Sequence, residues 1–269
     1  MTLPLLLEPR ELTAHLSDTH LLVVDLCSAD KYQAGHIPGA VHLDTSALIS
    51  GIKPATGSLP TAAQIASALA AIGLTPDTHI VCYDDEGGPW AGRLIWTLDV
   101  IGHTRYSFLN GGKTAWLAEG LPLDTALPSM SPSTVAVTFN PAFIATADDI
   151  LAQLHDRQFL VWDARSREEY TGEKVLSARG GHIPGAAHLE WTELLDKTRA
   201  SRLRTDVAEL LKAHGITPDK TIVTHCQTHR RSGLTYLVMR SLGYPAVRAY
   251  PGSWSEWGNR DDLPVATGN

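Results

Sequence analysis

A short run near the C-terminal end, CQTHRRS at 226–232, concentrates side chains that can do chemistry. Cys226 is a sulfur nucleophile whenever it is ionised. A free thiol has a pKa of about 8.5, so little of it is ionised at neutral pH. Arg230 and Arg231 bring full positive charge within a few residues of that sulfur, and His229 can add to it. A tight loop turns backbone N–H groups inward as an anion nest, and a following helix adds the positive end of its dipole. Together these features are expected to lower the thiol pKa by roughly two units, about 2.7 kcal/mol. The same pocket would hold an anionic substrate. Arg231 offers a forked donor for a sulfonate or carboxylate. Arg230, His229, Thr228 and Gln227 are the further substrate-binding candidates, with His229 lining the rim of the loop rather than acting as a general base.

Such a loop needs a rigid support. Immediately before Cys226 stands TIVTH (221–225), a short β-branched run of the kind buried on both faces of a parallel sheet. Immediately after the loop comes the apolar stretch LTYLVMRSLG, which reads as a helix with Ser232 at its N-cap. In open parallel sheets, reactive groups collect beyond the carboxyl ends of the strands. The supporting residues expected nearby are Asp163 and Arg165, with Trp191 as a candidate pocket wall.

The chain repeats itself once. LLVVD (21–25) and FLVWD (159–163) are each followed by an aromatic (Tyr32, Tyr170) and then by GHIPGA, at 35–40 and 181–186. HIVCY (79–83) parallels TIVTH, and LNGGKTAW (109–116) parallels YPGSWSEW (250–257). Three motifs in the same order imply two domains of one fold. The helical stretches 62–73 and 207–215 both stop at glycine. Alternation of strand and helix makes each half an α/β domain, a central parallel sheet flanked by helices. The boundaries are set at 1–124, a linker at 125–142 that contains a strand at 135–139, and 143–269. From Gly92 and Gly233 onward the two halves keep a constant offset, which places Asp85 where Cys226 stands. The first loop, DDEGGPW, has three acids and no arginine. The N-terminal domain is therefore expected to be catalytically inactive.

Composition narrows the partners. The chain has 269 residues, 43% hydrophobic and 19% charged, with a formal net charge of −7. That balance speaks against a nucleic-acid surface, which draws on excess Lys and Arg. No apolar stretch approaches the length needed to span a bilayer. Cys27, Cys82 and Cys226 are odd in number and widely spaced, with neither a disulfide framework nor a zinc pattern. A reducing cytoplasm is the expected compartment. His36 and His182 of the two GHIPGA segments read as turn residues rather than metal ligands.

Both GHIPGA segments, the CQTHRR loop and the closing PGSWSEW (251–257) together resemble the tandem-domain rhodaneses, most closely the bacterial subgroup with a CQTHHR-like active loop. The resemblance covers nearly the whole chain. It implies a sulfurtransferase that moves a sulfane sulfur from thiosulfate to cyanide or a thiol through a persulfide on Cys226. It implies no metal and no organic cofactor. A protein sulfur acceptor is a further candidate partner. One departure is Glu169, before Tyr170, where many animal-type rhodaneses carry an arginine. The rival donor is 3-mercaptopyruvate, used with the same persulfide chemistry. Cysteine phosphatases that share the fold have one more residue between Cys and Arg than this loop has. A non-enzymatic sulfur-carrier module is the remaining alternative.

Overall fold

The computed structural model describes residues 3–129 and 131–268. Its strands are β1 (Leu6–Leu7), β2 (Leu21–Asp25), β3 (Val41–His42), β4 (His79–Tyr83), β5 (Tyr106–Leu109), β6 (Phe159–Asp163), β7 (Ala187–His188), β8 (Leu195–Asp196), β9 (Arg202–Leu203), β10 (Thr221–His225) and β11 (Val247–Ala249). The helices are α1 (Pro9–Thr13), α2 (Ala29–Ala34), α3 (Ala62–Ala71), α4 (Pro89–Val100), α5 (Gly112–Ala118), α6 (Ala147–Gln153), α7 (Arg167–Thr171), α8 (Val207–Ala213), α9 (Arg231–Ser241) and α10 (Ser253–Trp257).

The chain divides into two compact units, and neither is continuous in sequence. The first comprises 1–48, 60–139 and 195–203; the second comprises 49–59, 140–194 and 204–269. Each half thus contributes a short segment to the unit built mainly by the other. In the first unit the antiparallel pair β8–β9 is tied in by Arg202, whose Nε donates to Glu8 at 2.7 Å, and by the Leu203 N–H, which donates to Asn110 at 2.9 Å.

The sheet of the first unit runs β1-β5-β4-β2-β3, all parallel, and that of the second runs β11-β10-β6-β7, also parallel. The expected α/β class with two parallel sheets and flanking helices is what forms. β4 is buried at every position, and all but the first residue of β10 are buried, because both faces are covered. The helices start where local chemistry starts them. Thr61 caps α3 through a capping box with Gln64, and Ser166 caps α7 through one with Glu169.

The two GHIPGA segments do the same work in each unit. His36 stacks on Tyr32 with ring centroids 4.0 Å apart, and His182 on Tyr170 at 3.7 Å. Their Nδ1 atoms bond the Tyr32 and Tyr170 carbonyls, so both imidazoles are structural. Residues 135–139 form no strand. The segment alternates in sequence but finds no neighbouring strand to complete a ladder. Among the described residues no helix is long and apolar enough to cross a membrane, and no cluster of three metal-ligating side chains occurs.

Candidate active site

β10 ends at His225, and Cys226 opens the loop that leads into α9. Two features fold the loop tightly. His229 adopts a left-handed backbone, φ 53°, and the Gly233 N–H closes onto the Arg230 carbonyl at 2.9 Å. From beneath, the PGSWSEW segment clamps it. The Trp254 N–H donates to the Cys226 carbonyl at 3.0 Å and the Ser255 N–H to the Gln227 carbonyl at 2.9 Å. Ser253 Oγ accepts from the Cys226 N–H at 3.4 Å, and Ser253 itself has φ 52°.

Cys226 is 1% exposed. Burial pushes its pKa up, but the Arg231 charge, the Ser232 hydroxyl and the backbone N–H groups of Ser232 and Thr228 outweigh it, and the thiol lies below its ordinary value. Burial works in the same direction on the other two cysteines without such opposition. Cys27 and Cys82 are pushed far up, and both are buried and free.

Arg231 is held rather than free. Its Nη1 donates to Glu169 Oε2 at 2.6 Å and its Nη2 to Oε1 at 2.9 Å, a two-pronged pair. The guanidinium also faces Cys226, and its charge favours the ionised sulfur. Glu169 is buried, yet its carboxyl stays below the usual range: burial pushes it up, and the Arg231 bonds and charge more than offset that. Beside β10, at the end of β6, Asp163 and Arg165 form a second fork, with Arg165 Nε at 2.9 Å from Oδ1 and Nη2 at 2.6 Å from Oδ2. Arg165 also donates to the Gly181 carbonyl at 2.7 Å and lies 4.3 Å over the Trp254 ring. This fork ties the strand end to the GHIPGA turn and to the clamp under the loop.

Three expectations need correction. Ser232 is not the N-cap of α9; Arg230 is, and α9 already includes Arg231 because the loop enters helical geometry early. The Ser232 hydroxyl instead meets His229 Nδ1 at 2.7 Å. His229 does not line a rim, since it is fully buried and turned inward. Third, Asp84 rather than Asp85 follows the strand end in the first unit, as Cys226 does in the second. The first loop is one residue longer, so counting seven back from Gly92 stops one short of Asp84, at Asp85. The Asp84 carboxylate fills the cradle that the loop makes. It accepts from the N–H groups of Glu86, Gly88, Trp90 and Ala91 at 2.8–3.1 Å. Asp85 points elsewhere, to Lys31.

Gln227 Nε2 donates to Ser177 Oγ at 3.2 Å, and Arg230 is half-exposed. Gln227 and Thr228 border a cavity of about 620 Å³ in the second unit, with Lys53, Thr56, Ser177 and Asn259 among its other walls. Trp191 is not one of them; it opens a short turn, and its N–H donates to the Ala164 carbonyl at 3.2 Å. Another cavity, about 410 Å³ beside His103 and Arg105 in the first unit, has no cysteine in its lining.

Sequence reasoning missed Gly57. A Cβ there would stand 2.2 Å from the Thr228 carbonyl oxygen and 2.6 Å from that of Pro251, so only glycine lets this strap lie on the loop. Its sequence carries no signal beyond the glycine itself. Glu169 was noticed only as a departure from a family pattern, and its partner lies 62 residues away.

A doubled parallel α/β fold with a cysteine at a strand end, cradled by inward amides, defines a rhodanese-type chain. The chain belongs to the rhodanese-like domain family, whose model matches residues 8–119 and 146–260. It is 53% identical to the thiosulfate sulfurtransferase of Azotobacter vinelandii, over 98% of this chain and 97% of that protein. It is 49% identical to the thiosulfate sulfurtransferase of Pseudomonas aeruginosa over the same shares. Identity falls to 31% with the 3-mercaptopyruvate sulfurtransferase of Escherichia coli K12, over 94% of this chain and 95% of that one.

Proposed function

We propose that the protein is a thiosulfate sulfurtransferase with Cys226 as the sulfur-carrying nucleophile. The observation that carries this reading is a buried cysteine at the end of β10, in a tight loop entering α9, beside a guanidinium held by Glu169, an arrangement that lowers the thiol pKa. The Cys226 thiolate attacks the outer sulfur of thiosulfate. A Cys–S–S bond forms as the S–S bond of thiosulfate breaks, and sulfite leaves with the bonding pair. The enzyme is left as Cys226–S–S⁻. An acceptor then attacks the terminal sulfur: cyanide leaves as thiocyanate, or a thiolate leaves as its own persulfide, and the Cys226 thiolate is regenerated. No proton must move in either displacement, so no general base is needed.

The thiolate and the terminal persulfide sulfur are both anions, and the amides of Thr228 and Ser232 are set to receive them without reorganising. Arg231, fixed by Glu169, serves the carrier sulfur first and the departing sulfite second. Gln227, Thr228 and Arg230 border the approach for the donor.

The first unit is a structural partner. The Asp84 carboxylate occupies the place of the thiolate, so this nest is closed to outside anions, and the buried Cys27 and Cys82 stay protonated. With three free thiols, the chain fits a reducing cytoplasm. The acceptor is a small thiol or a protein thiol.

Thiosulfate is favoured over 3-mercaptopyruvate because the two thiosulfate sulfurtransferases resemble this chain far more than the 3-mercaptopyruvate enzyme does. The test is steady-state transfer to cyanide with each donor. kcat/KM is expected to be higher for thiosulfate and to vanish in Cys226→Ser. A higher value for 3-mercaptopyruvate would reassign the donor, and full activity in Cys226→Ser would remove the nucleophile.

A further inference from the structure

We propose that His229 is a positioning residue: its Nδ1–H, 2.7 Å from Ser232 Oγ, occupies the acceptor side of that hydroxyl and so aims the hydroxyl proton at the Cys226 sulfur. The proposal rests on Cys226 as the sulfur carrier.

Ser232 has one hydroxyl proton and two neighbours, the His229 ring nitrogen and the Cys226 sulfur. A thiolate has no proton to give, so it can only accept. Ser232 must then donate to sulfur and accept from Nδ1, which fixes His229 in the Nδ1–H form. All three residues are buried, so water does not compete for these directions. The chain His229–Ser232–Cys226 therefore favours the anion over the thiol and holds the same direction for the persulfide. The backbone adds a second observation. His229 sits at φ 53°, a left-handed conformation that few side chains adopt, Asn, Asp and His more readily than the rest. With this backbone the imidazole lies fully buried, turned inward rather than out to solvent.

The other charged groups around the sulfur come from elsewhere. Arg231 stands on α9 with Glu169 of α7 behind it, and Asp163, Arg165 and His225 lie at the ends of β6 and β10. Arg230 shares the loop. None of these is altered by a change at position 229.

The experiment is the pH dependence of haloacetamide alkylation, followed at the Cys226 peptide in the full chain. His229→Gly relieves the backbone and removes the ring. It is expected to move the alkylation curve to higher pH and slow the reaction at neutral pH about five- to tenfold. His229→Asn tolerates the left-handed backbone and offers an amide N–H near the position of Nδ1, so most of the rate should return. In a Ser232→Ala background, His229→Gly should cost nothing further. An unchanged curve in His229→Gly, an equal loss in the Ser232→Ala background, or no rescue by Asn would each overturn the proposal. Failure of the wild type to gain sulfur from thiosulfate would instead sink the carrier reading and leave this curve informative.

Discussion

Glu169 grips Arg231 with two hydrogen bonds, 2.6 and 2.9 Å long, and so fixes a guanidinium that also faces the Cys226 sulfur. The pair sets the charge felt by the thiol. In Arg231→Ala the alkylation curve of Cys226 should rise in pH, and kcat/KM for thiosulfate should fall about 100- to 1000-fold. Glu169→Gln keeps the cation and one arm of the fork but removes the offsetting carboxylate. Its curve should move to lower pH, and movement to higher pH would show that geometry, not charge, dominates. The same carboxyl lies below its ordinary 4.5 in the fold. Its contribution to stability is present above that pH and is lost as pH falls through the lower folded value. Acid unfolding of Glu169→Gln should therefore be shallower.

Asp84 satisfies four N–H groups in the first unit. Asp84→Ala leaves all four without this acceptor, those of Gly88 and Ala91 in buried surroundings, at a cost of roughly 2–4 kcal/mol. Urea denaturation should show that loss, while kcat/KM of the folded enzyme stays within about twofold. A large loss of activity at unchanged stability would give this loop a direct part in the reaction.

Gly57 lies against the Thr228 and Pro251 carbonyls with no room for a methyl group. Gly57→Ala must displace the strap or the loop, and the Thr228 amide serves the sulfur. A misplacement of about 1 Å can cost on the order of 100-fold in rate. We expect a 10- to 100-fold drop in kcat/KM (about), with the KM for thiosulfate changed less than kcat.

The Asp163–Arg165 fork is fully buried. Burial pushes the Asp163 carboxyl up, but neighbouring His225 and then the charge and hydrogen bonds of Arg165 bring it down to about 2. Removing Arg165 leaves a buried charge alone, and Arg165→Ala should lose about 3–5 kcal/mol in thermal or urea unfolding. Asp163 stabilises the fold above its ordinary value near 3.8, and that stabilisation fades as pH falls through about 2. The variant should lack this acid transition.

Much of the fold was legible because its strands are continuous β-branched runs. LLVVD, HIVCY, FLVWD and TIVTH form β2, β4, β6 and β10 residue for residue. Burial on both faces dictates that composition. The candidate site was legible at Cys226 because reactive and cationic side chains crowd one short loop. The strap 49–59 and the hairpin 195–203 were not legible. They have no periodicity, and their membership in the other half's unit depends on contacts distant in sequence. The added residue in the first loop was legible from the ends of HIVCY and TIVTH, which place Asp84 opposite Cys226, but counting from the helix glycines hid it. Ser232 misled because a serine before an apolar run is the usual cap signal. Here the preceding arginine already has helical backbone, and the hydroxyl is spent on His229.

The most direct measurement is intact mass spectrometry after mixing the full chain with thiosulfate. The protein should gain the mass of one sulfur atom, lose it on adding cyanide, and show no gain as Cys226→Ala. A gain that persists in Cys226→Ala, or no gain in the unaltered chain, would contradict the assignment of Cys226 as the sulfur carrier.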